Sequence, residues 1–373
     1  MKTKVVKLDA DSIDLAAVNE AAKLVDAGGL AAFPTETVYG IACRIETMAL
    51  AKLDKVKGRG SEKYYTLHIA ESTDVHKYLP GVGLRAEKLI TKAWPGPLTI
   101  VFELDANAVE KQQSRIEEDV FKNLYKDNSI GIRCPDNPVA KMLLRETKSP
   151  VVAPSANLTG QQPAADGDAV LAQFAGKIEL LLDSGPCKYK KSSTVVKIGK
   201  RGLEILRPGV YLQAEVEMMW AVQFLFVCTG NSCRSPMAEG MFRKYLAEKL
   251  ECKVDQLDEM GYKVVSAGVI GLSGMPASPE AIAACAAKGI SIKAHKSRAL
   301  SPQLVEESDF IYGMGQTHCQ RIVAFGPEAA RKCGLLAMNQ EIADPIGQSQ
   351  QVYNSCADLI ERAVEKRISE LVI

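Results

Sequence analysis

The sequence contains no apolar run approaching the ~18 residues that a membrane-spanning helix needs, and its start, MKTKVVKLDADSID, lacks the hydrophobic stretch of a signal peptide. Histidine is scarce, with four in 373 residues, and forms no cluster with the cysteines at metal-ligand spacing. The ten cysteines are scattered, and no two of them make a C-x-x-C pair. These absences argue against a structural metal, a disulfide framework and a membrane-embedded or secreted chain. They leave reduced thiols in a cytoplasmic protein as the expectation. A strong charge of either sign is also missing. Residues 1–212 hold 30 Lys and Arg against 26 Asp and Glu, a net +4, and residues 213–373 hold 16 against 19, a net −3. An extended nucleic-acid surface needs a much stronger basic bias. There is no internal repeat and no low-complexity tract.

What is present is apolar content of 47%, enough to give a core to each of two ordinary domains. The stretch LRPGVYLQAEVEMMWAVQFLFVC marks the joint, with residues 213–222 read as a short linker between domains 1–212 and 223–373. The first half mixes α and β. A helical apolar spacing runs from Leu15 to Val25 and stops at Gly28-Gly29. Strand-like runs follow in LAAFP, LTIVFEL, SIGIRC, IELLLD, STVVKI and LEIL, with helical segments near Leu84–Ala93 and Asn137–Leu144. Residues 106–127 read as a charged, lengthened loop. The second half alternates regularly: FLFVC, KVVSAGV and DFIYGM are separated by helical stretches, and a last helix covers about Val352–Leu371. That alternation predicts a parallel sheet with helices on both faces.

Between a strand and a helix in the second half stands Cys228-Thr-Gly-Asn-Ser-Cys-Arg234-Ser235. A turn at this place aims successive backbone N–H groups at one point and makes an anion cradle. Phosphate held there faces Cys228 as nucleophile. The amides, the helix dipole, Arg234 and the Ser235 hydroxyl all favour the thiolate. The planar fork of Arg234 grips two phosphate oxygens. Gly230 and Asn231 suit left-handed backbone angles. In EIADPIGQS, Asp344 precedes Pro345 and can serve as the acid for a leaving group.

With SAGV, SRALS and ADP, this loop resembles the low-molecular-weight protein tyrosine phosphatase family, from about Phe224 to the C-terminus. The resemblance implies that Cys228 forms the phosphocysteine, Arg234 binds phosphate and Asp344 is general acid and then base. It makes Gly230, Asn231, Ser232, Cys233 and Ser235 the supporting loop, with Cys233 near enough in sequence for a reversible disulfide with Cys228. The substrate implied is a phosphorylated protein or peptide. Tyrosine-specific members carry aromatic residues after the Asp-Pro, where Ile346-Gly347 stand here. Arginine phosphatases of the family carry a small hydroxyl residue at the position of Ser232. Related arsenate reductases need two further cysteines, and only Cys319 lies near, with Gly315 where the first is expected.

In the first half, AAFPTETVYGIA is rich in hydroxyls. KVKGRGSEKYYTLHIA then brings Lys57, Arg59 and Lys63 to one loop, and VVAPSANLTG, STVV and ILRPG add Ser155, Asn157, Ser193 and Arg207. Cations with hydroxyls and amides at strand ends suit a polyphosphate and a small polar substrate. The ordered set FPTETVYG, K-x-R, WPGPLT, GIRCP, APSANLTG, SSTVV and LRPG resembles the YrdC/TsaC family of threonylcarbamoyl-AMP synthases, over about residues 8–212. That resemblance implies a twisted α/β sheet with a positively lined cavity. It implies ATP, L-threonine and bicarbonate as substrates, with Mg²⁺ accompanying ATP and no tightly bound cofactor. tRNA is implied only indirectly, through downstream modification proteins. Carried over by motif, Lys57, Arg59, Lys63, Ser129, Ser155, Asn157 and Arg207 contact ATP, and Thr35, His68, Arg133 and Ser193 contact threonine. The competing reading of the whole chain is an RNA-binding module fused to a silent phosphate sensor.

Overall fold

In a computed structural model that describes all residues except 1, 10, 11, 61–63 and 272, the chain divides into two compact units, Met1–Trp220 and Ala221–Ile373. Among the described residues, ten strands of the first unit form one mixed sheet. They are β1 (Lys4–Lys7), β2 (Ala31–Phe33), β3 (Gly40–Arg44), β4 (Thr66–His68), β5 (Leu98–Glu103), β6 (Ser129–Arg133), β7 (Val151–Val152), β8 (Leu180–Asp183), β9 (Thr194–Gly199) and β10 (Gly202–Arg207). Their order across the sheet is β1-β8-β2-β3-β7-β4-β6-β5-β9-β10.

The period-2 alternation of a strand gives this sheet two cores. Leu181, Ile41 and Val152 point into one cluster of buried side chains, while their neighbours Leu180, Leu182, Ala42 and Val151 point into the other. The second cluster is covered by the helices Leu15–Asp26 and Pro138–Glu146. The first of these starts where the Asp14 carboxylate accepts from the amides of Ala16 and Ala17 at 2.9 and 3.2 Å. It gives way to Gly28 at φ 83°, a left-handed angle that glycine takes without strain. The second helix has Pro138 in its first turn, behind Asn137, whose side chain accepts from Ala140 N at 3.0 Å.

One expectation fails in this unit. Residues 106–127 are not an extended loop. They hold the helices Ala106–Gln113 and Glu118–Leu124, the first capped by Asp105 accepting from Ala108 N at 2.7 Å. Val120 and Leu124 are buried in the core, so a charge-rich segment is folded by a few apolar anchors. The stretch 213–222, read as a short linker, is structured. It forms the helix Gln213–Trp220, whose Val216 and Trp220 lie in the same core, and then opens the next strand.

In the second unit, β11 (Val222–Cys228), β12 (Tyr262–Gly268), β13 (Phe310–Gly313) and β14 (Cys333–Leu335) run parallel in the order β12-β11-β13-β14. All of β11 is buried, and its side chains alternate between the faces. Phe224 and Phe226 meet Phe242 of the helix Arg234–Leu250 at 4.6 and 5.2 Å between ring centroids. Leu225 and Val227 join Val305, Ile322 and Ala329 from helices on the opposite face. Strand order reverses at β11, and the crevice at the carboxyl end of such a strand is where open parallel sheets bind ligands. Cys228 is that carboxyl end. Among the described residues no helix is long and apolar enough to cross a membrane.

Candidate active sites

The sheet of the first unit carries a cavity of about 330 Å³. Lining it are Thr35, His68, Arg133 and Ser193, together with Lys57, Arg59, Ser155, Asn157 and Arg207. Nine expected residues from six separate segments therefore meet at one place. Lys63 lies outside the described residues. Ser129 is not among the lining residues. It begins β6, four positions before Arg133 and so ~13 Å along the strand, and its hydroxyl donates to Lys126 O at 2.9 Å.

Each of the cations is anchored by partners of its own. Lys57 is buried at the end of the helix Thr47–Lys57 and donates to the carbonyls of Ser155 and Asn157, the latter at 2.7 Å. That contact joins the K-x-R segment to the S-x-N segment directly. Arg59 Nε donates to Asp54 at 2.6 Å and its guanidinium lies 4.3 Å from the Tyr65 ring centre. Arg133 Nη2 donates to Glu36 and Thr37 at 2.8 and 2.7 Å. Arg207 Nη2 donates to Ser193 O at 2.8 Å and to its hydroxyl oxygen at 3.1 Å. Arg59 Nη2 and Arg133 Nε are buried without a hydrogen-bond partner, which leaves donors available for an acceptor. Burial and the nearby Arg133 push His68 down to about 3, so its ring is neutral beside these cations. Glu36 was missed in the sequence reading, although it lies inside FPTETVYG. Its 3% exposure and its second bond, from Asp136 N at 3.0 Å, make it the group that fixes Arg133.

In the second unit the segment after Cys228 curls around the sulfur. Asn231 N donates to Cys228 Sγ at 3.2 Å, and Ser235 Oγ stands 3.0 Å from it. Asn231 takes the left-handed conformation at φ 55°, whereas Gly230 does not, so the sharp turn falls on asparagine alone. The Asn231 side chain is locked from three sides. It donates to Ser235 Oγ at 2.9 Å and to Ser266 Oγ at 2.8 Å, and accepts from Arg298 N at 2.8 Å. Gly268, the end of β12, passes so close that a Cβ there would lie 2.9 Å from Asn231 N and Thr229 O.

Arg234 opens the following helix, buried, with Nη1 donating to Ile342 O at 3.0 Å and Nη2 paired with the Asp344 carboxylate. The loop thereby brings Cys228, Arg234 and Asp344 together. Cys233 faces Tyr353 and Ser278 at 3.3 and 3.4 Å, which gives its thiol packing partners of its own. Ser232 is half-buried, its carbonyl accepting from Ser278 N at 2.8 Å. Gly315 caps the helix Gln316–Val323.

The Sua5/YciO/YrdC family, described as telomere recombination, matches residues 23–209, half of the chain. The chain belongs to that family. Residues 223–372 match the low molecular weight phosphotyrosine protein phosphatase family, and the second unit belongs to it. Two enzyme families are thus fused in one chain. The first is represented by a threonylcarbamoyl-AMP synthase of Bacillus subtilis, 31% identical over 225 residues, which are 60% of this chain and 62% of that protein. A threonylcarbamoyl-AMP synthase of Pyrococcus abyssi is 29% identical over 269 residues, 67% of this chain and 75% of the other. This chain spans less than two thirds of the length of the Bacillus protein. The crystal structure of Pyrococcus abyssi Sua5 complexed with L-threonine shares the fold, with a TM-score of 0.52 at 21% identity over 71% of this chain and 92% of that one. The cavity thus lies in the part of the chain that matches the first family, and the loop at Cys228 in the part that matches the second.

Proposed function

We propose that the first unit makes L-threonylcarbamoyladenylate from ATP, L-threonine and bicarbonate, for the modification of tRNA by downstream proteins. The observation that carries this reading is the contact of Lys57 with the carbonyls of Ser155 and Asn157, inside a cavity where four cations converge. Lys57, Arg59 and Arg207, with Lys63 from the sequence, neutralise the triphosphate. Arg133, His68, Thr35 and Ser193 receive the amino acid. Threonine's amine and bicarbonate condense to a carbamate with loss of water. A carbamate oxygen then attacks the α-phosphorus, and pyrophosphate leaves. This needs close approach and charge neutralisation more than proton transfer, and the cavity offers those. Mg²⁺ fits only as a companion of the triphosphate, because Glu36 and Asp54 are both committed to arginines. The test is pyrophosphate release by the purified chain. It requires threonine and bicarbonate together and is lost in Arg59→Ala or Asn157→Ala, with phosphatase activity retained. ATP turnover of equal rate without threonine sinks the assignment.

The second unit, in the same proposal, is a cysteine-dependent protein phosphatase. Cys228 Sγ attacks phosphorus while Asp344 protonates the leaving atom, giving phosphocysteine. Water, deprotonated by Asp344, then releases phosphate. Support comes from the donors aimed at Cys228 Sγ and from the Arg234–Asp344 pair at the same loop. Phosphoarginine competes with phosphotyrosine as substrate. Ser232 leaves room for a guanidinium, and Ile346, 63% exposed, gives a thinner wall for an aryl ring than an aromatic residue would. Cys228→Ser should eliminate turnover of aryl phosphate and of both phosphopeptides. Ser232→Ile should shift preference toward phosphotyrosine peptides. An unchanged ratio of the two rates removes Ser232 as the selector.

A further inference from the structure

One buried side chain at the phosphatase loop has no part in the chemistry above. His318, 4% exposed, sits in the first turn of the helix Gln316–Val323, with Nε2 3.0 Å from Thr229 Oγ1. Thr229 is the residue after Cys228, and its hydroxyl oxygen accepts from Arg234 Nη2 at 3.1 Å. Arg234 Nη2 has one other anchor, the Asp344 carboxylate. In the proposed reaction that carboxylate must turn to the leaving atom and then to water. Thr229 is then what holds this arm of the guanidinium in place.

The ring chemistry says how the hydroxyl itself is held. Burial and the facing Arg234 push His318 below the ordinary histidine value, and the helix N-terminus also disfavours a cation there. The ring is neutral, so one nitrogen carries hydrogen and the other does not. Nε2 and the Thr229 hydroxyl share one hydrogen bond, which either tautomer of the ring can make, as donor or as acceptor. In both cases the Thr229 hydroxyl is held between the ring and Arg234 Nη2, whose N–H it accepts.

We propose that His318 is a positioning residue for phosphoryl binding, acting through Thr229 on Arg234. This rests on the phosphatase reading of the loop, but its test does not need turnover. The probe is inorganic phosphate titrated calorimetrically into the full chain, alongside kcat and KM for an aryl phosphate. His318→Leu and Thr229→Val should each weaken phosphate binding about tenfold, with KM rising more than kcat falls. The double variant should bind no worse than Thr229→Val alone, because one chain of contacts is broken only once. Thr229→Ser and His318→Gln, which keep hydrogen-bonding groups, should recover most of the affinity. Phosphate binding by His318→Leu equal to that of the parent overturns the proposal. So does a double variant in which the two losses multiply. If His318→Leu does not fold, His318→Met, which also lacks a hydrogen-bonding nitrogen, is measured alone and with Thr229→Val and decides by the same criterion. A parent chain that binds phosphate and leaves aryl phosphate intact refutes the phosphatase reading, while the binding cycle still judges the role of His318.

Discussion

His68 is where burial and a neighbouring charge act on a single ring. Its folded value of about 3 lies below the ~6.5 of an unfolded histidine, so between those two values the unfolded chain holds more protons. Stability therefore rises with pH across that window, is complete above its upper edge, and is lost as the solution is acidified. Between pH 7 and pH 5 this one residue should remove about 2 kcal/mol. His68→Asn, which has no proton to gain, should lose that much less than the parent when urea unfolding is compared at the two pH values. An equal loss in both proteins would show that the ring accepts a proton in place. The same scale shows what the sequence could and could not reveal. Lys57, Arg59, Ser155, Asn157 and Arg207 were visible because their motifs announce anion chemistry. Glu36 was not, because what makes it matter is an ion pair with Arg133, 97 positions away, that no local pattern encodes.

At the level of elements, legibility followed apolar content. The runs LTIVFEL, SIGIRC, IELLLD and STVVKI are strands as expected. β4 and β7, at three and two residues, are too short to carry a period and exist because neighbouring strands supply their hydrogen bonds. Residues 106–127 misled for the opposite reason. Their charge is on the surface, and the helices are fixed by Val120 and Leu124, 3% and 2% exposed. Tyr125 adds a stack on Phe121, with ring centres 4.7 Å apart, and a bond to Tyr78 O at 2.6 Å. Leu124→Ala should cost about 3 kcal/mol, as buried leucine truncations do. Denaturation of the full chain should show this in the transition of residues 1–220, with aryl phosphate turnover unchanged. A loss below ~1 kcal/mol would mean that the segment is an ornament on the core rather than part of it.

For the whole molecule, the division at residue 220 has a direct consequence. The helix Gln213–Trp220 belongs to the first unit, where Val216 and Trp220 are buried and the Arg85 guanidinium lies 4.5 Å from the Trp220 ring centre. A fragment 1–220 should fold and keep threonine-dependent pyrophosphate release. A fragment 1–212 lacks the tryptophan and should be less stable by about 3–5 kcal/mol, the usual cost of emptying such a site. Equal thermal midpoints for the two fragments would make this helix a connector after all. Fragment 221–373 keeps the whole of its sheet and should fold alone.

Gly268 puts a limit on moving the phosphatase loop elsewhere. The curl after Cys228 is shaped as much by the bare backbone at the end of β12 as by its own residues, since any side chain there would run into Asn231 N and Thr229 O. Grafting CTGNSCRS onto another strand–turn–helix would carry over the letters without the adjoining Cβ-free edge. The cradle is in that sense a property of two strands, and a designer would have to transplant both.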